Sequence, residues 1–301
     1  MKGKKLGFIG VGQLAQPMVK HLLDDGYEVL IHNRRRDPLK KLISKGAVYC
    51  KRPEDTVIKG GILFNCLPDD AALLSIFHPH GKMFKKLGDT GLHVSMATIS
   101  PEASRIVHER HKTHGGNYCV ATVMGRPDAV ENKRQFYIMA GESEQLDRVK
   151  PILESIGSAT FTLGEEPDLA NAAKLSFNFL IASAIESMAE SFTFARKYGV
   201  DVNQFFSMIS ETLFACPLYK NYGKAIIDRQ FYEPLFRMAL GAKDMNLVSL
   251  SAKECRAPMR FASVLQDRFT ASLAKGRENY DWIGIALDVE DEAGIAPEKQ
   301  G

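Results

Sequence analysis

The stretch KLGFIGVGQLAQPMVKHLLDDGYEVLIHN, residues 5–33, constrains the fold more than any other part of the chain. An apolar run ends at Gly10. Gly12 and Ala15 follow, then an amphipathic segment closed by Gly26, then a second strand-like run. Residues 10–15, Gly10-Val11-Gly12-Gln13-Leu14-Ala15, therefore form G-x-G-x-x-A at a strand-to-helix junction. Each small residue there has a mechanical reason: Gly10 for a tight turn, Gly12 for close approach of a pyrophosphate to the backbone, Ala15 for close helix–strand packing. The helix that begins there turns its positive end toward the anion. Pro17 falls in the first turn, where backbone N–H groups have no intrahelical partner to lose.

The same rhythm continues. Strand-like runs at 62–68, 91–97, 117–124 and 134–141 alternate with helical segments at 37–46, 70–77 and 100–116, the last with Ser100 as N-cap and Pro101 at its first position. Strand–helix–strand alternation implies a parallel, doubly wound sheet of the Rossmann type. After about Gly164 strand patterns cease, and one long helix is expected over 168–198, starting by Pro167 and ending at Gly199. The expected organisation is an α/β nucleotide-binding domain over 1–164 and an all-helical domain over 165–301.

The second strand ends in Asn33-Arg34-Arg35-Arg36. A site selective for NAD usually carries an acidic residue there for the ribose hydroxyls. Guanidinium groups suit the adenosine 2′-phosphate of NADP, through bidentate charge-assisted bonds. Arg34 is the leading candidate, Arg35 the second, and Arg36 is better read as solvated. NADP is expected as cofactor, with NAD less favoured.

Totals narrow the partners. A formal net charge of +3 is too small to argue for nucleic acid. The five cysteines are scattered and never spaced C-x-x-C, which favours free thiols in a reducing compartment. The apolar stretch at the N-terminus is too short for a signal-peptide core or a membrane span, and a cytoplasmic location is expected.

Within the long helix, LANAAKLSFNFLIASAI (169–185) holds one charge, Lys174. A lone lysine in such a run either snorkels its amine to water or is used. Asn178 lies four residues on, so both side chains leave the same helix face.

With these pieces placed, the sequence resembles the β-hydroxyacid dehydrogenase family, which includes 3-hydroxyisobutyrate dehydrogenase and short-chain semialdehyde reductases and shares the 6-phosphogluconate dehydrogenase type of NADP-binding domain. GFIGVGQLAQPMVKHLL is similar to the family's opening glycine motif. CLPDD resembles its Leu-Pro loop over the cofactor, at Leu67 and Pro68. SMATISPE resembles its Asp-x-Ser-Thr-x-x-Pro segment, with Thr98 in the threonine place. KLSFN matches Lys-x-x-x-Asn, and KDMNL the Lys-Asp pair, Lys243 near the nicotinamide and Asp244 on the substrate side.

The resemblance implies that Lys174 donates a proton to a carbonyl oxygen as hydride arrives, with Asn178 orienting the ammonium or the substrate. A partly desolvated lysine can lose its proton, which arginine cannot. Departures from the family concern the substrate. Met124, Gly125 and Arg126 stand where a Ser-Gly-Gly carboxylate cradle is common, and Ser95 and Ala97 replace the Asp and Ser. Arg126 then either takes over a substrate carboxylate or points to solvent.

The expected activity is NADPH-dependent reduction of a small, carboxylate-bearing aldehyde or keto acid, or the reverse oxidation of a 3-hydroxyacid, by a homodimer joined through its helical domain. Two alternatives share the scaffold: an imine reductase, and a non-catalytic nucleotide-binding interaction protein. Lys174 argues against both. His108, His111 and His114 on one helix, and His78 and His80 in a loop, are read as solvated rather than metal-binding.

Overall fold

A computed structural model describes residues 4–295. The chain divides into two compact units, one ending at Lys174 and the other starting at Leu175. The first holds a single sheet of eight strands: β1 (Lys5–Ile9), β2 (Glu28–His32), β3 (Val48–Tyr49), β4 (Ile62–Asn65), β5 (Leu92–Ser95), β6 (Asn117–Met124), β7 (Phe136–Ala140) and β8 (Ala159–Thr162). Their order is β3-β2-β1-β4-β5-β6-β7-β8. Its helices are α1 (Ala15–Asp24), α2 (Lys40–Ser44), α3 (Asp70–Ile76), α4 (Lys82–Leu87), α5 (Pro101–Thr113), α6 (Pro127–Glu131), α7 (Ser143–Ile156) and the first turns of α8 (Asp168–Lys197).

Every pairing in the sheet is parallel except β6 with β7. A parallel crossover needs a dozen or more residues, and the link from Met124 to Phe136, with short α6 inside it, is too brief for one. β7 therefore returns antiparallel. Val11, Met18, Val19, Val29, Ile31, Phe64, Val94 and Tyr137 are buried together in the core of this unit.

Because β2, β1, β4, β5 and β6 run parallel, their C-terminal ends share one edge of the sheet. The strand order reverses between β1 and β4, and such a switch point opens a crevice for ligands. The sequence motifs after these strands are thereby brought to one edge.

The second unit contains the rest of α8 with α9 (Val202–Glu211), α10 (Pro217–Ile227), α11 (Met238–Glu254), α12 (Arg260–Ala274) and α13 (Ile285–Glu292). Its core gathers Ile185, Met188, Phe192, Met245, Leu265, Phe269 and Trp282. α8 stops where Gly199 adopts φ of +82°, a left-handed residue that closes a helix end. Among the described residues, no helix is long and apolar enough to cross a membrane.

Candidate active site

The glycine loop leaves β1 with Gly10 at φ +82°, a conformation that L side chains rarely adopt. A Cβ at Gly10 would also sit 2.5 Å from the Cys66 carbonyl oxygen, so the fold alone demands glycine there. Gly12 differs. A Cβ on it would meet nothing within 4 Å. Its open face is a cradle that a side chain would fill, which fits a pyrophosphate drawn close to the backbone. No side chain caps α1 and no acidic residue occupies its first turn, so the positive helix end remains suited to an anion. Val11 and Ala15 are fully buried, Leu14 is half-buried and Gln13 is exposed. The loop therefore fits a dinucleotide.

At the end of β2, Asn33 donates from Nδ2 to the Arg35 carbonyl at 3.0 Å, a short turn that presents Arg34 and Arg35 to solvent. Arg36 is exposed too and lies over the Tyr49 ring, 5.2 Å from its centroid. After β4, Leu67 is buried and Pro68 exposed. Thr98, after β5, is half-buried.

β6 ends at Met124, and here Lys174 arrives from α8. Its ammonium donates to the Val123 carbonyl at 2.9 Å and lies 3.4 Å from Met124 Sδ. The residue is only 9% exposed, so the amine is held inside the protein rather than carried out to water. Snorkelling is thereby overturned as a description of Lys174. Gly125 and Arg126 follow Met124. Arg126 occupies the N-cap position before α6 and its Nε lies 3.6 Å from Asp128 Oδ1, so an acidic neighbour already faces the guanidinium.

In the second unit, Asn178 donates from Nδ2 to Asp244 Oδ2 at 2.5 Å, and Lys243 Nζ lies 3.1 Å from Asp244 Oδ1. Asn178 and Asp244 are 3% and 1% exposed. The Lys-Asp motif of α11 is thus tied to α8 through one carboxylate.

Two groupings escaped the sequence. Asp70, two residues after Pro68, accepts from both the backbone N–H and the hydroxyl of Ser100, at 2.9 and 2.6 Å. Behind this edge of the sheet, Asn65 Oδ1 lies 2.6 Å from His93 Nε2, and His93 Nδ1 lies 2.9 Å from His111 Nε2. Both histidines are fully buried, His93 stacked 3.8 Å from the Phe77 ring. The expectation of a solvated histidine face fails at His111. The α5 face that carries it packs on β5 and β6, which histidine spacing alone does not reveal.

Known proteins resemble the chain along most of its length. Residues 5–164 match the NAD binding domain of 6-phosphogluconate dehydrogenase, and residues 169–287 match the NAD-binding region of NADP-dependent 3-hydroxyisobutyrate dehydrogenase. An uncharacterized oxidoreductase of Bacillus subtilis, YfjR, is 34% identical over 93% of this chain and 98% of its own length. Glyoxylate/succinic semialdehyde reductase 2 of Arabidopsis thaliana is 25% identical over 93% of this chain and 78% of its own. Among solved structures, 3-hydroxyisobutyrate dehydrogenase of Mycobacterium tuberculosis superposes with a TM-score of 0.85 at 20% identity, covering 95% of this chain and 99% of that one.

Fold and matches together define a Rossmann-type, NAD-binding oxidoreductase. The chain belongs to the β-hydroxyacid dehydrogenase family, the group of 3-hydroxyisobutyrate dehydrogenase.

Proposed function

We propose that the chain is an NADPH-dependent reductase of a small aldehyde or keto acid, able to run in reverse on the hydroxyacid, with Lys174 as the proton donor. The observation that carries the reading is the Lys174 ammonium, buried at the end of β6 on the Val123 carbonyl. A lysine held inside the site can pass its proton to a carbonyl oxygen, which an arginine there could not.

In this reading Gly10, Val11, Gly12, Gln13, Leu14 and Ala15 hold the pyrophosphate, Asn33 bonds the adenosine ribose, and Arg34 and Arg35 hold the 2′-phosphate. Leu67, Pro68, Thr98 and Lys243 contact the nucleotide further along. Reduced nicotinamide, when bound, supplies the hydride that goes to the carbonyl carbon. Lys174 gives its proton to the carbonyl oxygen, so the product is the alcohol and the lysine is left neutral until it regains a proton. Asn178 orients the substrate or the ammonium, and Asp244 fixes Asn178 in place through their hydrogen bond. Met124, Gly125 and Arg126 border the substrate. A carboxylate on that substrate would compete with Asp128 for Arg126. The semialdehyde reductase among the relatives supports the substrate class. The working protein is a homodimer joined through the helical unit, where Phe177, Leu180, Phe194 and Tyr198 leave large apolar surfaces exposed.

The test is NADPH oxidation against semialdehydes, glyoxylate, keto acids, uncharged aldehydes and cyclic imines. Replacing Lys174 by Ala should lower turnover on the best carbonyl substrate by about 10²- to 10⁴-fold with nucleotide affinity nearly intact, the usual effect of losing a general acid. Unchanged turnover in a folded variant would end the assignment. A protein that reduces imines alone would move it to the imine reductases.

A further inference from the structure

We propose that Asp70 is a positioning residue for the nucleotide: through Ser100 it clamps the loop after β4 to the loop after β5. The inference rests on the assignment of Leu67, Pro68 and Thr98 to cofactor contact. It goes beyond that assignment by naming what fixes the two loops against each other.

The geometry is specific. Pro68-Asp69-Asp70 opens α3, and its two acids divide the work. Asp69 caps its own helix, accepting from the Ala72 N–H at 2.8 Å. Asp70 reaches across instead. Its two carboxylate oxygens take the backbone N–H and the hydroxyl of Ser100. Ser100 in turn caps α5, its Oγ accepting from the Ala103 N–H at 3.0 Å. All three polar functions of this junction are satisfied, at a serine only 9% exposed.

Position gives the junction its consequence. Asp70 lies two residues beyond Pro68, and Ser100 two residues beyond Thr98. β4 and β5 are paired up to Asn65 and Ser95, where their ladder ends. Beyond those residues the chain needs another tie to keep the two loops at a fixed separation. The clamp supplies it at the point where both loops enter their helices. A carboxylate near the N-terminus of α5 is also favoured by that helix dipole, which holds the clamp closed. Loops already ordered lose little freedom when a ligand binds, so affinity rises through preorganisation. A helix cap alone would not need Asp70, because Ser100 already caps α5.

The experiment titrates NADPH against the full chain and four variants, with melting temperatures recorded for each. Asp70→Ala should raise Kd for NADPH by about tenfold to a hundredfold, the range of one charge-assisted bond. At saturating NADPH, kcat should fall by less than about threefold, as expected when binding rather than chemistry is lost. Ser100→Thr keeps hydroxyl and cap and should bind within about twofold of the unmodified chain. Asp201→Ala removes a comparable cap on α9, where Asp201 accepts from the Gln204 N–H, and should lower stability without changing Kd. Thr98→Ala reports whether the β5 loop contacts the nucleotide.

A Kd for Asp70→Ala within about twofold of the unmodified chain overturns the clamp, and so does an equal loss in Asp201→Ala. If Thr98→Ala weakens NADPH while Asp70→Ala does not, the loop assignment survives and the clamp alone falls. If neither variant moves Kd, both fall together.

Discussion

Acid should weaken the Rossmann unit through His93 and His111 well before the carboxylates titrate. Burial holds His93 well below the usual imidazole range, and its neighbour His111 adds to the effect. Burial likewise brings His111 down to about 3, with His108 and His114 contributing. The hydrogen bonds give the same picture: with Asn65 Oδ1 as acceptor, His93 carries its proton on Nε2, and its Nδ1 accepts from His111. Both rings are neutral in the folded chain. In the unfolded chain each takes up a proton near pH 6.5. Below that pH the unfolded state binds more protons, so stability falls as pH is lowered toward the folded-state values. The slope is about 1.4 kcal/mol per pH unit for each histidine. From pH 6.5 to 4.5 His111 alone therefore removes about 2 kcal/mol, a large part of the ~5–15 kcal/mol that stabilises a typical domain. Asp55 does not interfere, because Arg52 and Lys86 hold its carboxyl down to about 2. Burial raises Glu186 in the helical unit, which gives an opposite slope in its own range. The measurement is therefore a difference: urea unfolding by far-UV circular dichroism at several pH values, for the unmodified chain and for His111→Gln. The glutamine amide can still donate to His93 but does not titrate. Its stability should fall with acid by about 1.4 kcal/mol less per pH unit. Parallel curves for the two proteins would refute the buried neutral pair.

What the sequence made legible was what local chemistry dictates. Gly10 is required by a positive φ and a close carbonyl, and Gly12 by a face kept open, so both are written into a short motif. Ser100 was readable as a cap because capping is decided within four residues, and it does accept from Ala103. The long helix was readable from its continuous apolar pattern and the closing glycine, and it ends within a residue or two of the expected place. Lys174 stood out as one charge in an apolar run, but only the fold shows what holds it, since Val123 is 51 residues away. Non-local pairings were hidden for the same reason. His111 meets His93 at 18 residues' distance, and His93 meets Asn65 at 28. On a helix read alone, a histidine counts as polar and is assigned to water. The reversal of β7 was in principle readable from the short link after Met124, but the strand rhythm that points to parallel order masked it. β3, two residues long, carries too little pattern to register.

Two further outcomes follow from surfaces rather than cores. Sedimentation equilibrium at micromolar protein should give a two-chain mass, and Leu180→Glu with Phe194→Glu, both exposed on α8, should return a one-chain mass. A monomer at all concentrations would remove the proposed dimer. NADPH should be preferred to NADH, with Arg34 the main determinant. The turn after β2 contains no acid until Asp37, which is turned to Lys40 at 2.9 Å, so no carboxylate of that turn is placed to bind the ribose diol or repel a 2′-phosphate. All three arginines of the turn are exposed, but Arg36 lies over the Tyr49 ring and Asn33 is bonded to the Arg35 carbonyl, which favours Arg34 and Arg35 for the phosphate. One charge-assisted contact is worth about 1.5 to 3 kcal/mol, or a preference of roughly 10- to 150-fold. Arg34→Ala should cost that factor in NADPH affinity and leave NADH affinity within about twofold, because NADH lacks the phosphate the guanidinium would hold. Equal binding of the two nucleotides by the unmodified chain would reduce the arginines to a solvated turn.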